Sequence, residues 1–133
     1  MRTLRIVTMF GEMWARNPEN MSRIPNTNDT GGKGVYVLYD GSMPVYVGKG
    51  NMRFQIGRAK RSLRRGQMWD HFSWYGLDDQ KMMHDIESLV LRMLPPYLRS
   101  LTQQKGKFGD ADKIKEVKKN QVAEYISRKV GKK

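Results

Sequence analysis

Two short runs of strand-forming residues, separated by a turn signal, most constrain how this chain can fold. Residues 34–39 read GVYVLY, residues 43–47 read MPVYV, and the sequence DGS lies between them. Val and Tyr favour strands, and an Asp-Gly dipeptide between two such runs favours a tight hairpin. We expect an antiparallel hairpin in which Tyr36 lies on the face opposite Val35 and Val37, and Tyr46 lies opposite Val45 and Val47.

Hydrophobic spacing before the hairpin indicates a helix followed by a loop. Apolar residues recur at roughly helical spacing through residues 4–16, which predicts a short N-terminal helix. Residues 17–33 are rich in Asn, Pro, Gly, Ser and Thr, so they are expected to form a loop. This loop leads into the hairpin.

After the hairpin the pattern predicts a helix, a third strand and a second helix. Residues 51–65 form the first helix, which ends at Gly66. Residues 69–75 (WDHFSWY) are expected to form the strand, and residues 78–94 the second helix, before two prolines. The expected apolar stripes are Met52, Ile56, Ala59 and Leu63 on the first helix and Met82, Met83, Ile86, Leu89, Val90, Met93 and Leu94 on the second.

The expected fold is one small α/β (α+β) domain over residues 1–133. A central three-stranded antiparallel sheet is flanked by helices within a core of residues 34–99. Residues 1–33 supply the N-terminal helix and loop, and residues 100–133 a basic C-terminal helix. That helix is predicted from apolar residues at helical spacing between Ile114 and Val130.

Charge points to a polyanionic partner. The chain carries 25 Lys and Arg against 13 Asp and Glu, a net charge of +12, so nucleic acid is the natural candidate. Zero cysteines exclude disulfides and Cys-bound zinc. There is no stretch of about 18 apolar residues and no signal-peptide pattern. We expect a cytoplasmic or nucleoid-associated protein that is not secreted and has no membrane partner.

The order of these features resembles the GIY-YIG nuclease family over about residues 33–99. The residues that carry the resemblance are GVY at 34–36, YVG at 46–48, the continuation KGN, the basic helix, the aromatic strand and a Glu on the next helix. The resemblance implies a metal-dependent endonuclease that hydrolyses phosphodiester bonds in DNA.

Three positions match residues with catalytic roles in that family. The resemblance implies that Tyr36 takes part in activating the attacking water, that Tyr46 helps to position the phosphate, and that Glu87 holds one divalent cation. Helical projection places Glu87 beside Met83 and Val90, at the edge of the apolar stripe. Oxygen ligands favour Mg²⁺ or Mn²⁺ as that cation.

The chain also departs from the family pattern. Gln55 occupies the position of the arginine that clamps the phosphate, and a neutral amide does not offset developing negative charge. Arg58 lies three residues on, along the same flank of the helix, and is a candidate replacement. The chain has no Asn at the position of the family's Asn after the metal-binding Glu, since the next Asn here is Asn120, and Gln103 or Gln104 is a candidate replacement.

Basic residues supply the expected nucleic-acid contacts. Residues 49–67 contain seven Lys and Arg and no acid, as expected of a helix that follows a phosphate backbone. Besides Arg58, the expected contacts are Lys49, Arg53, Lys60, Arg61, Arg64 and Arg65. His71 and His84 are expected to be structural or solvated.

Two other functions stay open at this stage. Because of Gln55, the chain is alternatively a catalytically impaired or inactive GIY-YIG-like module that binds nucleic acid. A second alternative is a small basic RNA-associated protein in which the tyrosines pack or stack on bases. Any sequence specificity would come from loops, from the C-terminal helix, or from a dimer or another partner.

Overall fold

Four antiparallel strands form the single sheet seen in a computed structural model, which describes residues 5–61, 66, 68–94 and 114–117. The strands are β1 (Val7–Ala15), β2 (Lys33–Asp40), β3 (Met43–Asn51) and β4 (His71–Leu77), in the spatial order β1-β4-β2-β3. With the helices below, this is a small α+β fold. The expected class is therefore confirmed, but the sheet has four strands instead of three.

The predicted hairpin is confirmed as β2 and β3. Asp40 pairs with Met43, which leaves a two-residue loop that begins with Gly41 at a φ of 63°. A glycine at the first position is typical of a type II′ turn, which matches the twist of the flanking strands. Tyr36 and Val35 enter hydrophobic cores on opposite faces of the sheet, as expected.

One detail of the hairpin prediction is wrong. Leu38 pairs with Tyr46 and Tyr39 pairs with Pro44, so β3 carries one extra residue at Val45. Such a bulge breaks the two-residue alternation of side chains. Val45 therefore packs against the same core as Tyr46, not against the opposite one.

The predicted N-terminal helix over residues 4–16 is also wrong, because this segment forms β1. β1 pairs with β4 and has two register shifts, one between Val7 and Met9 and one between Gly11 and Trp14. Each shift adds a residue to β1, so its apolar residues lose strand periodicity and imitate helical spacing. At the second shift Met13 has a φ of 53°, and its N–H donates to the buried Ser73 Oγ at 2.9 Å.

The predicted loop 17–33 contains one short helix, α1 (Pro18–Ser22). Asn17 caps it, because its side chain accepts a hydrogen bond from the Asn20 N–H at 2.7 Å. Pro18 follows at the first helical position, where a missing N–H costs nothing. The dipeptide Asn17-Pro18 was thus a helix start within a segment that otherwise has loop composition.

The helix after the hairpin, α2 (Met52–Arg61), covers one face of the sheet. Its apolar residues Met52, Ile56 and Ala59 are buried as predicted. They pack in what we call the tyrosine-side core, with Ile24, Tyr36, Leu38, Trp69, Phe72 and Trp74. Leu63 and the predicted end of the helix before Gly66 fall on residues 62–65, outside the described residues.

The predicted third strand is β4, and a second helix follows it. A 3-10 turn (Gln80–Met82) leads into α3 (Met83–Met93), which packs against β2 and β3. What we call the valine-side core contains Val35, Val37, Val47, Leu77 and Leu91.

The predicted stripe of α3 is only partly correct. Met83, Ile86, Val90 and Leu94 pack against the valine-side core. However, Met82, Leu89 and Met93 are 41%, 51% and 73% exposed, and the residues buried on α3 are Ser88 and Leu91. The helix is rotated so that the small Ser88 faces inward, which sequence periodicity alone does not reveal.

The predicted C-terminal helix falls almost entirely outside the described residues. Within residues 114–117, which begin its apolar stripe, the chain is exposed and has no regular secondary structure. In the described part of the chain, no helix is long and apolar enough to cross a membrane.

Substitution of Gly48 tests how tightly the hairpin packs. A Cβ at Gly48 would overlap the ring and hydroxyl of Tyr36, which is 3% exposed and has little room to move. We expect Gly48→Ala to lower the free energy of unfolding by about 1–3 kcal/mol, as overpacking does. In the control Gly57→Ala, within α2, the new Cβ meets only Arg61 Nη1 at 3.4 Å.

Gly57→Ala should raise the free energy of unfolding by up to about 1 kcal/mol, because Ala is the better helix former. Both values come from denaturant titration. Equal stability of Gly48→Ala and the native chain would contradict the close packing of Tyr36 on Gly48.

Candidate functional site

Tyr36 and Tyr46, which we call the tyrosine pair, lie side by side on the α2 face of the sheet. Their ring centroids are 6.3 Å apart, with 33° between the ring planes. Tyr36 is buried and Tyr46 half-buried. Gly48 pairs directly with Tyr36 across the hairpin, and its missing side chain makes the space that the Tyr36 ring occupies. The GVY and YVG segments therefore fit together as one packed unit.

The chain passes from β3 into α2 without an intervening loop. Gly50 has a φ of 108°, a conformation that favours glycine, and Asn51 ends the strand. The N–H of Met52, the first residue of α2, donates to the carbonyl oxygen of Gly32 at 3.2 Å. This tight junction fixes the start of α2 beside the end of β3 that carries Gly48.

The candidate phosphate contacts occupy different parts of α2. Gln55 lies one turn into the helix and is half-buried, whereas Arg58 and Lys60 are exposed. The guanidinium of Arg53 donates to Asn26 Oδ1, which holds it against the loop before β2. Arg61 is exposed at the end of the described helix. Arg64 and Arg65 lie outside the described residues.

Glu87 lies on α3, next to Lys49 of β3 and His84 of its own helix. The carboxyl group is half-buried, and this burial raises its pKa above the ordinary value of a glutamate. The positive charge of Lys49 and the His84 ring oppose that rise. The pKa is raised on balance, so the effect of burial outweighs that of the two neighbouring side chains.

Lys49 and His84 are in direct contact. The distance from Lys49 Nζ to His84 Nδ1 is 2.6 Å. This contact holds the positive charge of Lys49 beside Glu87 on the α3 face, and not along α2 as the sequence suggested.

The structure therefore divides the predicted site residues into two groups. The tyrosine pair and α2 belong to the tyrosine-side core, whereas Lys49 and Glu87 lie on the opposite face with α3. Both helices contact β3, and β3 is an edge strand of the sheet. The two groups therefore flank β3 from the two faces of the sheet.

The capacity of this region to hold a cation rests on Glu87. Among the described residues there is no cluster of three or more His, Asp, Glu or Cys side chains arranged to hold a metal ion. A single carboxylate suits Mg²⁺, which keeps several waters and adds phosphate oxygens of its substrate. Glu87 fits such a cation, although Lys49 competes for the carboxylate.

His84, which was expected to be structural or solvated, lies against Lys49 and beside Glu87. Its position three residues before Glu87 places both side chains on one flank of α3. That spacing was visible in the sequence, but the partner Lys49 was not, because the face of β3 that α3 covers depends on the tertiary fold. His71 instead pairs with Asp70 at 2.9 Å, in keeping with a structural role.

Comparison of the chain with protein-family models, with curated proteins and with solved structures found no match.

The proximity of Lys49 and Glu87 is tested by Lys49→Gln. Because the Lys49 charge lowers the pKa of Glu87, its removal should raise that pKa further. The exposed Lys60 on α2 provides the control, and Lys60→Gln should leave the pKa of Glu87 unchanged. NMR titration of the Glu87 carboxyl carbon measures both. An unchanged pKa in Lys49→Gln would show that the two side chains are not close.

Proposed function

We propose that this chain is a GIY-YIG-type endonuclease that hydrolyses phosphodiester bonds in DNA with one divalent cation. The observation that carries the proposal is the packing of Tyr36 on Gly48, with Tyr46 beside it. Tyr36 thus contacts both Gly48 and Tyr46, so three residues that carry the resemblance pack together. An acid-free helix with exposed basic residues begins directly after them.

The reactive set under this proposal is the tyrosine pair together with Glu87. Glu87 would hold Mg²⁺ or Mn²⁺, which supplies charge stabilisation for the phosphate oxygens and the leaving group when bound. Tyr46, which is half-buried, would position the phosphate through its hydroxyl. Tyr36 would orient the attacking water or accept a proton from it, and because a phenol is a weak base it needs a nearby cation to do so.

Positive charge for the phosphate would come from α2 and from the end of β3. Gln55 can donate a hydrogen bond but brings no charge. Arg58 is exposed one turn further along α2, so its long side chain is available to a phosphate. Lys60 and Arg61 extend the basic surface along the helix and would follow the DNA backbone.

A second candidate is a noncatalytic nucleic-acid-binding module on the same scaffold. Two observations favour it: Gln55 replaces the expected arginine, and Glu87 lies on the opposite face of the sheet from the tyrosine pair. In such a module Lys49 would serve as the permanent counter-charge of Glu87. Either function places the protein where DNA is accessible, and we propose the cytoplasm or the nucleoid.

Plasmid cleavage distinguishes the two candidates. Supercoiled plasmid is incubated with Mg²⁺ or Mn²⁺ and the native chain, Glu87→Ala, Gln55→Arg or Asp85→Ala. Under the nuclease proposal the native chain nicks the plasmid, and Glu87→Ala lowers the rate at least about 100-fold, because the cation loses its carboxylate. Asp85→Ala, which removes an exposed acid of the same helix, should keep the native rate.

Gln55→Arg should raise the nicking rate roughly tenfold or more, because it restores a charged donor near the phosphate. Nicking that survives Glu87→Ala would contradict the assigned role of Glu87. Salt-sensitive DNA binding without cleavage by the native chain and Gln55→Arg would instead establish the noncatalytic module. A preference for RNA that Tyr36→Phe does not change would indicate the RNA-associated alternative.

A further inference from the structure

Phe54 is an exposed aromatic side chain in the first turn of α2. It is 56% exposed, whereas Met52, Ile56 and Ala59 of the same helix are buried. Among the described residues of α2 it is the one large hydrophobic side chain that is exposed. Single exposed apolar residues are common on protein surfaces, so what distinguishes Phe54 is the chemistry around it.

Two arginines share the face of α2 that carries Phe54. Arg58 and Arg61 follow Phe54 by four and seven residues, a spacing that places the three side chains on one face of a helix. Both arginines are exposed. Gly57 lies on the same face, and Arg61 Nη1 is 3.4 Å from the position that a Cβ of Gly57 would occupy. The Arg61 side chain therefore turns back along the helix, toward the turn that carries Phe54.

Positive charge dominates the surface around this face. The described residues of α2 include four Lys and Arg and no acid. α1, which contacts α2, carries one acid, Glu19, and Arg23 pairs with it at 3.1 Å. On the neighbouring flank of α2, the guanidinium of Arg53 donates to Asn26 Oδ1 in the loop before β2. The Phe54 ring is thus framed by cations.

An aromatic ring framed by cations matches one unpaired nucleotide. Any base can stack on an aromatic ring, and arginines can hold the phosphates on either side of that base. In a duplex both faces of each base are already stacked, so a free base face occurs at a bulge, a flap or a strand end. Gln55, a candidate phosphate contact, directly follows Phe54. A base on Phe54 would therefore lie next to the phosphate that the tyrosine pair is proposed to bind.

We propose that Phe54 stacks on one unpaired base of the DNA substrate, with Arg58 and Arg61 on the neighbouring phosphates. The substrate class is then DNA that contains an unpaired nucleotide beside a duplex, such as a bulge or a flap. This inference rests on the DNA-binding part of the proposed function and is independent of cleavage.

Equilibrium binding without a divalent cation tests the proposal. A labelled duplex with one unpaired adenine and a fully paired duplex with the same flanking sequence are titrated, in the presence of a chelator, with the native chain and with variants. The native chain should bind the bulged duplex more tightly than the paired one. Phe54→Ala should weaken binding of the bulged duplex about tenfold, the usual effect of losing one stacking ring. It should leave the affinity for the paired duplex unchanged.

Phe54→Trp and Phe10→Ala are the control variants. Phe54→Trp keeps a stacking ring and should retain the preference for the bulged duplex. Phe10 is 59% exposed but lies on β1, so Phe10→Ala should keep both native affinities. Circular dichroism establishes that each variant is folded before its affinity is compared.

Two further measurements separate stacking from phosphate contact. In a third duplex an abasic residue replaces the unpaired adenine, and the native chain and Phe54→Ala should bind it equally, because there is no base to stack. Arg58→Gln should reduce the salt dependence of binding to the bulged duplex by about one phosphate contact.

Equal affinity of the native chain for the bulged and paired duplexes would overturn the proposal. So would equal weakening of both duplexes by folded Phe54→Ala, because Phe54 would then be a general contact and not a stacking platform for an unpaired base. Failure of the nuclease proposal is distinct. It appears as absence of plasmid cleavage with cation, whereas the preference for the bulged duplex is measured without one.

Discussion

The burial of β2 on both of its faces is the constraint from which the rest of the structure follows. Tyr36 and Leu38 enter one core while Val35 and Val37 enter the other, so β2 must be central and each face needs a covering helix. α2 covers the tyrosine side, and α3 covers the valine side. The tight turn at Gly41 then makes β3 the neighbour of β2, and β3 becomes an edge strand.

This arrangement concentrates the functional groups around β3. Successive residues of an edge strand point to opposite faces, so Gly48 lies under Tyr36 while Lys49 lies beside Glu87 and His84. The tyrosine pair packs with the tyrosine-side core, and Lys49 and Glu87 lie on the side of the valine-side core. Under the proposed function, a phosphodiester that passes along the outer edge of β3 would meet both groups from the two faces of the sheet.

The hairpin, β4 and the buried residues of α2 were predictable because local chemistry and tertiary packing agree there. β1 was not, because two bulges removed its alternation and left a spacing that imitates a helix. On α3 the position of Glu87 at the edge of the apolar stripe was correctly anticipated. The pairing of Lys49 with His84 was not, because it depends on which face of β3 the helix covers, and a sequence carries no direct record of that choice.

The central claim is that Glu87 and the tyrosine pair serve one phosphate across the edge of β3. A crystal structure of the chain with a short DNA duplex and Ca²⁺ as a stand-in for Mg²⁺ tests it most directly. We expect one phosphate at the edge of β3, in contact with a cation on Glu87 and with the Tyr46 hydroxyl. DNA that lies along α2 alone, with Glu87 still facing Lys49 and holding no cation, would contradict the claim.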